Sequence, residues 1–265
     1  MSRSKGTWNT RGTWAAGGAL AAVLVLTGYI AFGGDGDDST PAGKGGAQPS
    51  VSSSVSAAPT YEVPDDWTEP ARWVALPRGK RTDKYGSQVG FPHTTTGGVA
   101  LAAAAQASDV NEQKSVVDEH LRQYNSYLAA EDRSERVAER VELGAQQTDK
   151  TLHRQMGVAP GAPLPSGAYQ RSTVVGFKII NESPDELSFW LLTRVAQKSG
   201  ETSKEQVVYT RSLAGVRWES DDWKLSAQAT MTAQQKVQGK PKPAGAAPGD
   251  AKFNSSGWTA IREAS

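Results

Sequence analysis

The sequence predicts an α+β protein in which one N-terminal transmembrane helix precedes a helical layer packed on a curved antiparallel sheet of about four strands. Three observations carry that prediction. Residues 13–32 form a run of 20 without a charged side chain. Residues 99–156 carry apolar side chains at helical spacing, and from Tyr169 onward the pattern becomes extended and rich in Val, Ile, Phe, Trp and Thr.

The apolar run, TWAAGGALAAVLVLTGYIAF, makes a helix ~30 Å long at ~1.5 Å per residue, which matches the hydrocarbon core of a bilayer. Trp14, Leu20, Leu24, Leu26, Ile30 and Phe32 are its anchor residues, with Trp14 and Tyr29 near its ends where interfacial aromatics belong. Arg3, Lys5 and Arg11 precede it without an acid, whereas Asp35, Asp37 and Asp38 follow it. The positive-inside bias therefore leaves residues 1–12 as a cytoplasmic stub and places the remainder outside the cell membrane. Two other readings compete. A cleavable signal peptide would use Ala31-Phe32-Gly33 as its small-x-small site, although the run exceeds a usual h-region; a buried soluble helix would need a cover that its flanks do not supply. A lipoprotein is excluded because there is no cysteine to acylate.

Composition narrows the function classes. The formal net charge is +1, and three basic groups lie in the stub, so the exported part is near neutral and offers no clustered cationic footprint for nucleic acid. With zero cysteines, stability rests on burial, to which eight tryptophans contribute, and thiol nucleophiles and cysteine zinc sites are ruled out.

Residues 33–60 are Gly, Ser, Pro and Ala with little apolar content, and read as a flexible linker. The exported α+β domain is expected over 61–235. Its lead-in holds Trp67 and Trp73 among prolines and glycines, where two indoles pin a loop or, as the sharper idea, stack on a wall glycan. At His93-Thr94-Thr95-Thr96-Gly97-Gly98 the threonines are natural N-caps for an alanine-rich helix over 99–107, and Thr95 and Gly97 are weak candidates for cradling an anion. The spacing of a phosphate loop is missing. Further helices are expected over 114–130, with Val117, Leu121, Tyr124 and Leu128 on one face and His120 beside it, and over 134–143 and 148–156, with Gly144 as a stop between the last two. Strands follow over 171–180, 187–196, 206–218 and 223–229, the third bent near Gly215. With Ser220 and Asp221 as the last loop, Trp218 faces Trp223 and Val216 faces Leu225, so Trp218, Trp223 and Leu225 form a core hairpin. Residues 236–265 read as a flexible tail with a docking segment at 252–263, built on Phe253, Trp258 and Ile261.

No GxSxG, HExxH or GxGxxG occurs, and the three histidines, His93, His120 and His153, are scattered. The residues nominate no catalytic group, no cofactor and no metal ligand, although carboxylate pairs leave no short motif to search for.

Helices first, a Pro/Gly break, and then long strands behind one anchor resemble the inner-membrane assembly components of type IV secretion and conjugation machines. The exported domains of that family have the nuclear-transport-factor-2-like fold. The chain also resembles a group of uncharacterised actinobacterial membrane-anchored proteins. That likeness runs through Gly90-Phe91-Pro92-His93-Thr94-Thr95-Thr96-Gly97-Gly98-Val99-Ala100 and Trp218-Glu219-Ser220-Asp221-Asp222-Trp223-Lys224-Leu225, within a span of about 73–229. The resemblance implies a non-enzymatic scaffold subunit of an envelope conjugation or secretion complex. Its partners would be the lipid bilayer, other envelope proteins and copies of itself, with no direct nucleic acid and no cofactor. The alternative is an extracytoplasmic module that binds the wall or a small ligand.

Overall fold

The computed structural model describes residues 39–41 and 67–262. Its strands are β1 (Ser39–Pro41), β2 (Trp73–Ala75), β3 (Arg81–Thr82), β4 (Gln88–Val89), β5 (Ser108–Val110), β6 (Ala168–Glu182), β7 (Glu186–Ser199), β8 (Gln206–Glu219), β9 (Asp222–Leu225) and β10 (Thr259–Arg262). Its helices are α1 (Thr95–Gln106), α2 (Val116–Tyr127), α3 (Glu135–Gln155), α4 (Ala227–Val237) and α5 (Ala251–Ser255), with one 3-10 turn at Ala130–Asp132.

The expected fold class needs correcting. In place of about four strands there is an eight-stranded sheet, ordered β1-β8-β7-β6-β10-β2, with β5 also on β6 and β9 also on β8; β3 and β4 make a separate hairpin. All pairings in the large sheet are antiparallel except β10 with β2. The reason lies in strand length. β6, β7 and β8 run for 15, 14 and 14 residues, so the outer edge of β6 accommodates both β5 and β10, and that of β8 both β1 and β9. Added strands of three or four residues are too short to show a two-residue period. The sheet is also covered on both faces, not by one helical layer, so the four-stranded, one-sided plan implied by the nuclear-transport-factor-2 resemblance is replaced. Among the described residues no helix is long and apolar enough to cross a membrane. The run 13–32, with Trp14, Leu20, Leu24, Leu26, Ile30 and Phe32, lies outside the described residues.

One face carries α1, α2 and α3 over two apolar clusters. The larger joins Val99, Leu101, Tyr127, Leu128, Val174, Phe177, Leu191 and Trp223; the smaller joins Val110, Val116, Ala145, Leu152, Met156 and Ala168. The helices start where hydroxyl caps allow. Thr94 Oγ1 accepts from Gly97 N, Ser115 and Asp118 make a capping box, and Ser134 caps α3. The two helices expected over 134–143 and 148–156 are one 21-residue helix, because Gly144 stays helical in open space and costs only ~1 kcal/mol relative to alanine.

The opposite face holds Trp190 and Leu192 of β7 against Ala246, Phe253, Trp258 and Ala260. Here the expected strand over 223–229 ends at Leu225, because Ser226 Oγ accepts from Ala229 N and starts α4. The bend expected at Gly215 is absent. β7 and β8 pair in unbroken register there, while the irregularities fall in β6, between Val174 and Gly176 and between Ile179 and Asn181. Gly215 is small for another reason: a Cβ on it would lie 2.4 Å from the Ala229 carbonyl carbon and from the Thr230 nitrogen of α4.

The expected flexible tail is packed as well. The Arg211 guanidinium donates to the Pro243 carbonyl, Trp258 Nε1 donates to the Ala244 carbonyl at 2.8 Å, and β10 enters the sheet between β6 and β2. The 252–263 stretch therefore contributes part of α5 and the strand β10, while residues 263–265 lie outside the described residues.

Candidate functional site

The two motifs that carried the resemblance meet in space at a cleft of about 410 Å³, lined by His93, Thr94, Thr95, Glu182, Ser183, Pro184, Leu187 and Trp223. Three local structures build it. A two-residue turn places Ser220 and Asp221 at φ 51° and 59°, as a type I′ hairpin requires, and so pairs Trp218 with Trp223 and Val216 with Leu225. The β6–β7 turn closes through Ser183 N to the Glu186 carbonyl, 2.9 Å, and presents Pro184 and Asp185. Between the two hairpins lies the start of α1, held in place by its glycines. A Cβ on Gly97 would fall 1.9 Å from the Pro92 carbonyl oxygen, and one on Gly98 would fall 2.5 Å from Leu187 Cδ1.

Asp222 fixes the approach to the cleft. Its carboxylate is buried, accepts from the Gly90 and Phe91 nitrogens at 2.9 Å each and from its neighbour Trp223 N, and has Lys224 Nζ at 3.2 Å. Trp223 Nε1 donates to the Pro92 carbonyl at 2.9 Å. Residues 90–92 are thus tied to β9 by three hydrogen bonds to the adjacent side chains of Asp222 and Trp223, and His93 follows directly.

His93 stacks on Trp218, with ring centroids 4.0 Å apart and planes 11° from parallel, while Trp223 meets both rings edge-on. His93 Nε2 faces two acceptors, the Pro184 carbonyl at 2.8 Å and Asp185 Oδ1 at 3.0 Å. Across the cleft Thr95 Oγ1 donates to Glu182. Thr95 and Gly97, the weak candidates for cradling an anion, sit at this contact. A carboxylate from β6 already occupies the N-terminal end of α1, where the helix dipole favours negative charge, and Gly97 serves close packing. The cleft lining contains no lysine or arginine.

The other nominated residues lie elsewhere. Leu225 is buried in the core beneath the hairpin, paired with Val216. Trp67 and Trp73 share one acceptor, since both indole N–H groups donate to Glu69, at 3.1 and 2.6 Å, and their bonds hold the Glu69 carboxyl below its usual range. Arg262 lies over the Trp73 ring, and Trp67 covers Gly249, where a Cβ would come within 2.2 Å of the indole. The pair therefore fastens the lead-in to the C-terminal segment. Glu182, Asp185 and Asp222 gain their roles from partners 87 to 132 positions away, which short motifs do not record.

The three histidines do not converge, and among the described residues no group of His, Asp and Glu is arranged to hold a metal ion. His153 is closed off, with Nδ1 on the Asp149 carbonyl and carboxylate and Nε2 on the Ala162 carbonyl. His120 is different. It is 3% exposed, neither ring nitrogen has a hydrogen-bond partner, and burial lowers its pKa from 6.5 to about 4. Compared with known proteins, the chain matches no family model, no curated relative and no solved structure.

Proposed function

We propose that the chain is a non-enzymatic, membrane-tethered recognition subunit of a cell-envelope complex of the conjugation or secretion kind, working through protein contacts. The cleft at the start of α1 receives a basic segment of a partner. The observation that carries this reading is the make-up of the cleft. Glu182 lines it, Asp185 stands at its rim, the His93–Trp218 stack forms an aromatic wall, and the lining lacks any cationic side chain that would repel lysine or arginine. Carboxylates beside aromatic faces suit a guanidinium or ammonium group, which gains from charge-assisted hydrogen bonds and from cation–π contact. Tethering to the bilayer rests on the apolar run 13–32 and the charge asymmetry around it.

The test is copurification of the full chain from mild detergent, as wild type and as the double variant E182K/D185K. Envelope proteins should be recovered with the wild type and fall at least tenfold with the variant, at unchanged thermal stability. Recovery of the wild type alone, or equal recovery of partners with both, overturns the proposal.

A further inference from the structure

Between the two apolar clusters on the helix side of the sheet runs a belt of polar side chains. Alternation along the strands puts Ser172 and Val174 of β6, Thr193 and Leu191 of β7, and Thr210 and Ala214 of β8 on that face, together with Ser108 of β5. Ser108 pairs directly with Ser172, and Thr193 pairs directly with Thr210. Ser172 pairs with Val195, two positions from Thr193, so the two hydroxyl pairs lie about 7 Å apart on the diagonal. Four neighbouring strands thus each contribute one hydroxyl to a single row.

Above the row lies α2. The chain reverses at the bridge between Asn111 and Lys114, so α2 runs back along β5. The Arg122 guanidinium, two residues beyond His120, donates to the Ala107 carbonyl at 3.0 Å, which sets His120 at the level of Ser108. One turn earlier Val116 packs with Val110 and Ala168, and one turn later Tyr124 and Tyr127 join the larger cluster. His120 is therefore buried on the side of α2 next to β5, at the Ser108 end of the polar belt.

Ser108, His120, Ser172, Thr193 and Thr210 are each more than nine-tenths buried. None of their side-chain polar atoms has a hydrogen-bond partner, and Gln197 Oε1, on the same face of β7, shares that condition. A buried polar atom without a partner costs about 1–3 kcal/mol. Five such residues on one face of one sheet, with His120 of α2 as a sixth, mark a place where hydrogen bonds are expected from something other than the protein.

We propose that this belt is an internal binding site for one small neutral molecule rich in hydroxyl groups, of the polyol or monosaccharide class. The chemistry of the wall selects it. Hydroxyls both donate and accept, an uncharged imidazole does one of each, and the Gln197 carbonyl accepts. A ligand whose own hydroxyls do both can satisfy the whole row, while an ion would find no opposite charge among the six. The nearest carboxylate on α2, Glu119, is already bound by Arg122 at 2.8 Å. The apolar clusters at either end limit the ligand to the width of the row. The site shares no residue with the outer cleft, so failure of either proposal leaves the other standing.

The test uses the full chain in detergent micelles, with imidazole nitrogens labelled and glycerol, myo-inositol, D-glucose, acetate and phosphate as probes. The chain has three histidines, so three sets of imidazole signals are to be assigned. A neutral probe should shift the His120 resonances saturably and leave His93 and His153 unmoved. Thr193→Val, which keeps the side-chain shape and removes the hydroxyl, should weaken that affinity about tenfold, and Thr173→Val, a control on the exposed face of β6, should not. Three results overturn the proposal: no saturable shift with any neutral probe, a shift with acetate or phosphate instead, or equal affinities for Thr193→Val and wild type. The first of these would assign the belt to bound water.

Discussion

The outer cleft and the inner belt use the same kinds of side chain to opposite effect. In the cleft, His93, Thr95, Glu182 and Asp185 are bonded across segments far apart in sequence, and Asp222 ties residues 90 and 91 to β9. In the belt, the side chains of Ser108, His120, Ser172, Thr193 and Thr210 are buried and make no hydrogen bond to the protein. One region is held together by its polar groups, and the other is held in spite of them. Partnering of polar atoms, more than their number, therefore separates a rigid docking surface from a site that gains by taking a ligand.

The strongest break in that contrast is Asp222→Ala. Removing the carboxylate strands two buried backbone nitrogens and the Lys224 ammonium, and loss of one partner from a buried pair costs about 3–5 kcal/mol. Urea unfolding should show a lower midpoint at unchanged slope. Asp222→Asn, which keeps one acceptor oxygen, should lose less. A loss under about 0.5 kcal/mol, as for an ordinary surface substitution, would mean that the cleft does not depend on this knot.

His120 supplies the next effect, through pH. Its folded-state pKa of about 4 lies below the ordinary 6.5, so between those values the unfolded chain binds the extra proton and the folded chain does not. Stability contributed by the neutral imidazole is complete above pH 6.5 and is lost as pH falls toward 4, by roughly 3 kcal/mol at most. The measurement is the difference in unfolding free energy between wild type and His120→Leu across that window. Parallel curves would show that His120 titrates normally, and so is not sealed in the belt.

Legibility in the sequence followed the range of the interactions. The Trp218–Trp223 hairpin was readable because Ser220-Asp221 fixes a local register, and the threonine cap of α1 was readable because Thr94 bonds three residues away, although the helix begins at Thr95 and not at 99. The long strands β6, β7 and β8 declared themselves through composition, but their extra length, and hence room for four short edge strands, did not. α4 was hidden because its cap, Ser226, follows Leu225 without a break, and its packing depends on Gly215, which looked like a bend. Neither site could be read ahead: Glu182 reaches Thr95 across 87 positions, and the hydroxyl row exists only once four strands are in register.

Gly215→Ala measures how closely α4 closes the face opposite the belt. The new methyl would sit 2.4 Å from backbone atoms of Ala229 and Thr230, which cannot rotate away, so α4 must shift. Overpacking of this kind costs about 1–3 kcal/mol. Because the added atom lies on the other side of the sheet, the His120 resonances should stay in place. A shift there would show that the two faces move together, and the belt would then respond to whatever touches α4.

The smallest effect on folding should come from His93→Ala, and it is the most informative about function. His93 is two-fifths exposed, and its stacking on Trp218 contributes about 1 kcal/mol or less, so thermal unfolding should scarcely change. Binding should change much more, because the aromatic wall facing Glu182 is lost while both carboxylates remain. An intermediate loss of partner, smaller than that of E182K/D185K, is therefore expected. If His93→Ala binds as wild type does, recognition rests on charge alone. If it abolishes binding as completely as charge reversal does, the stack orients the partner's cationic group and the carboxylates only attract it.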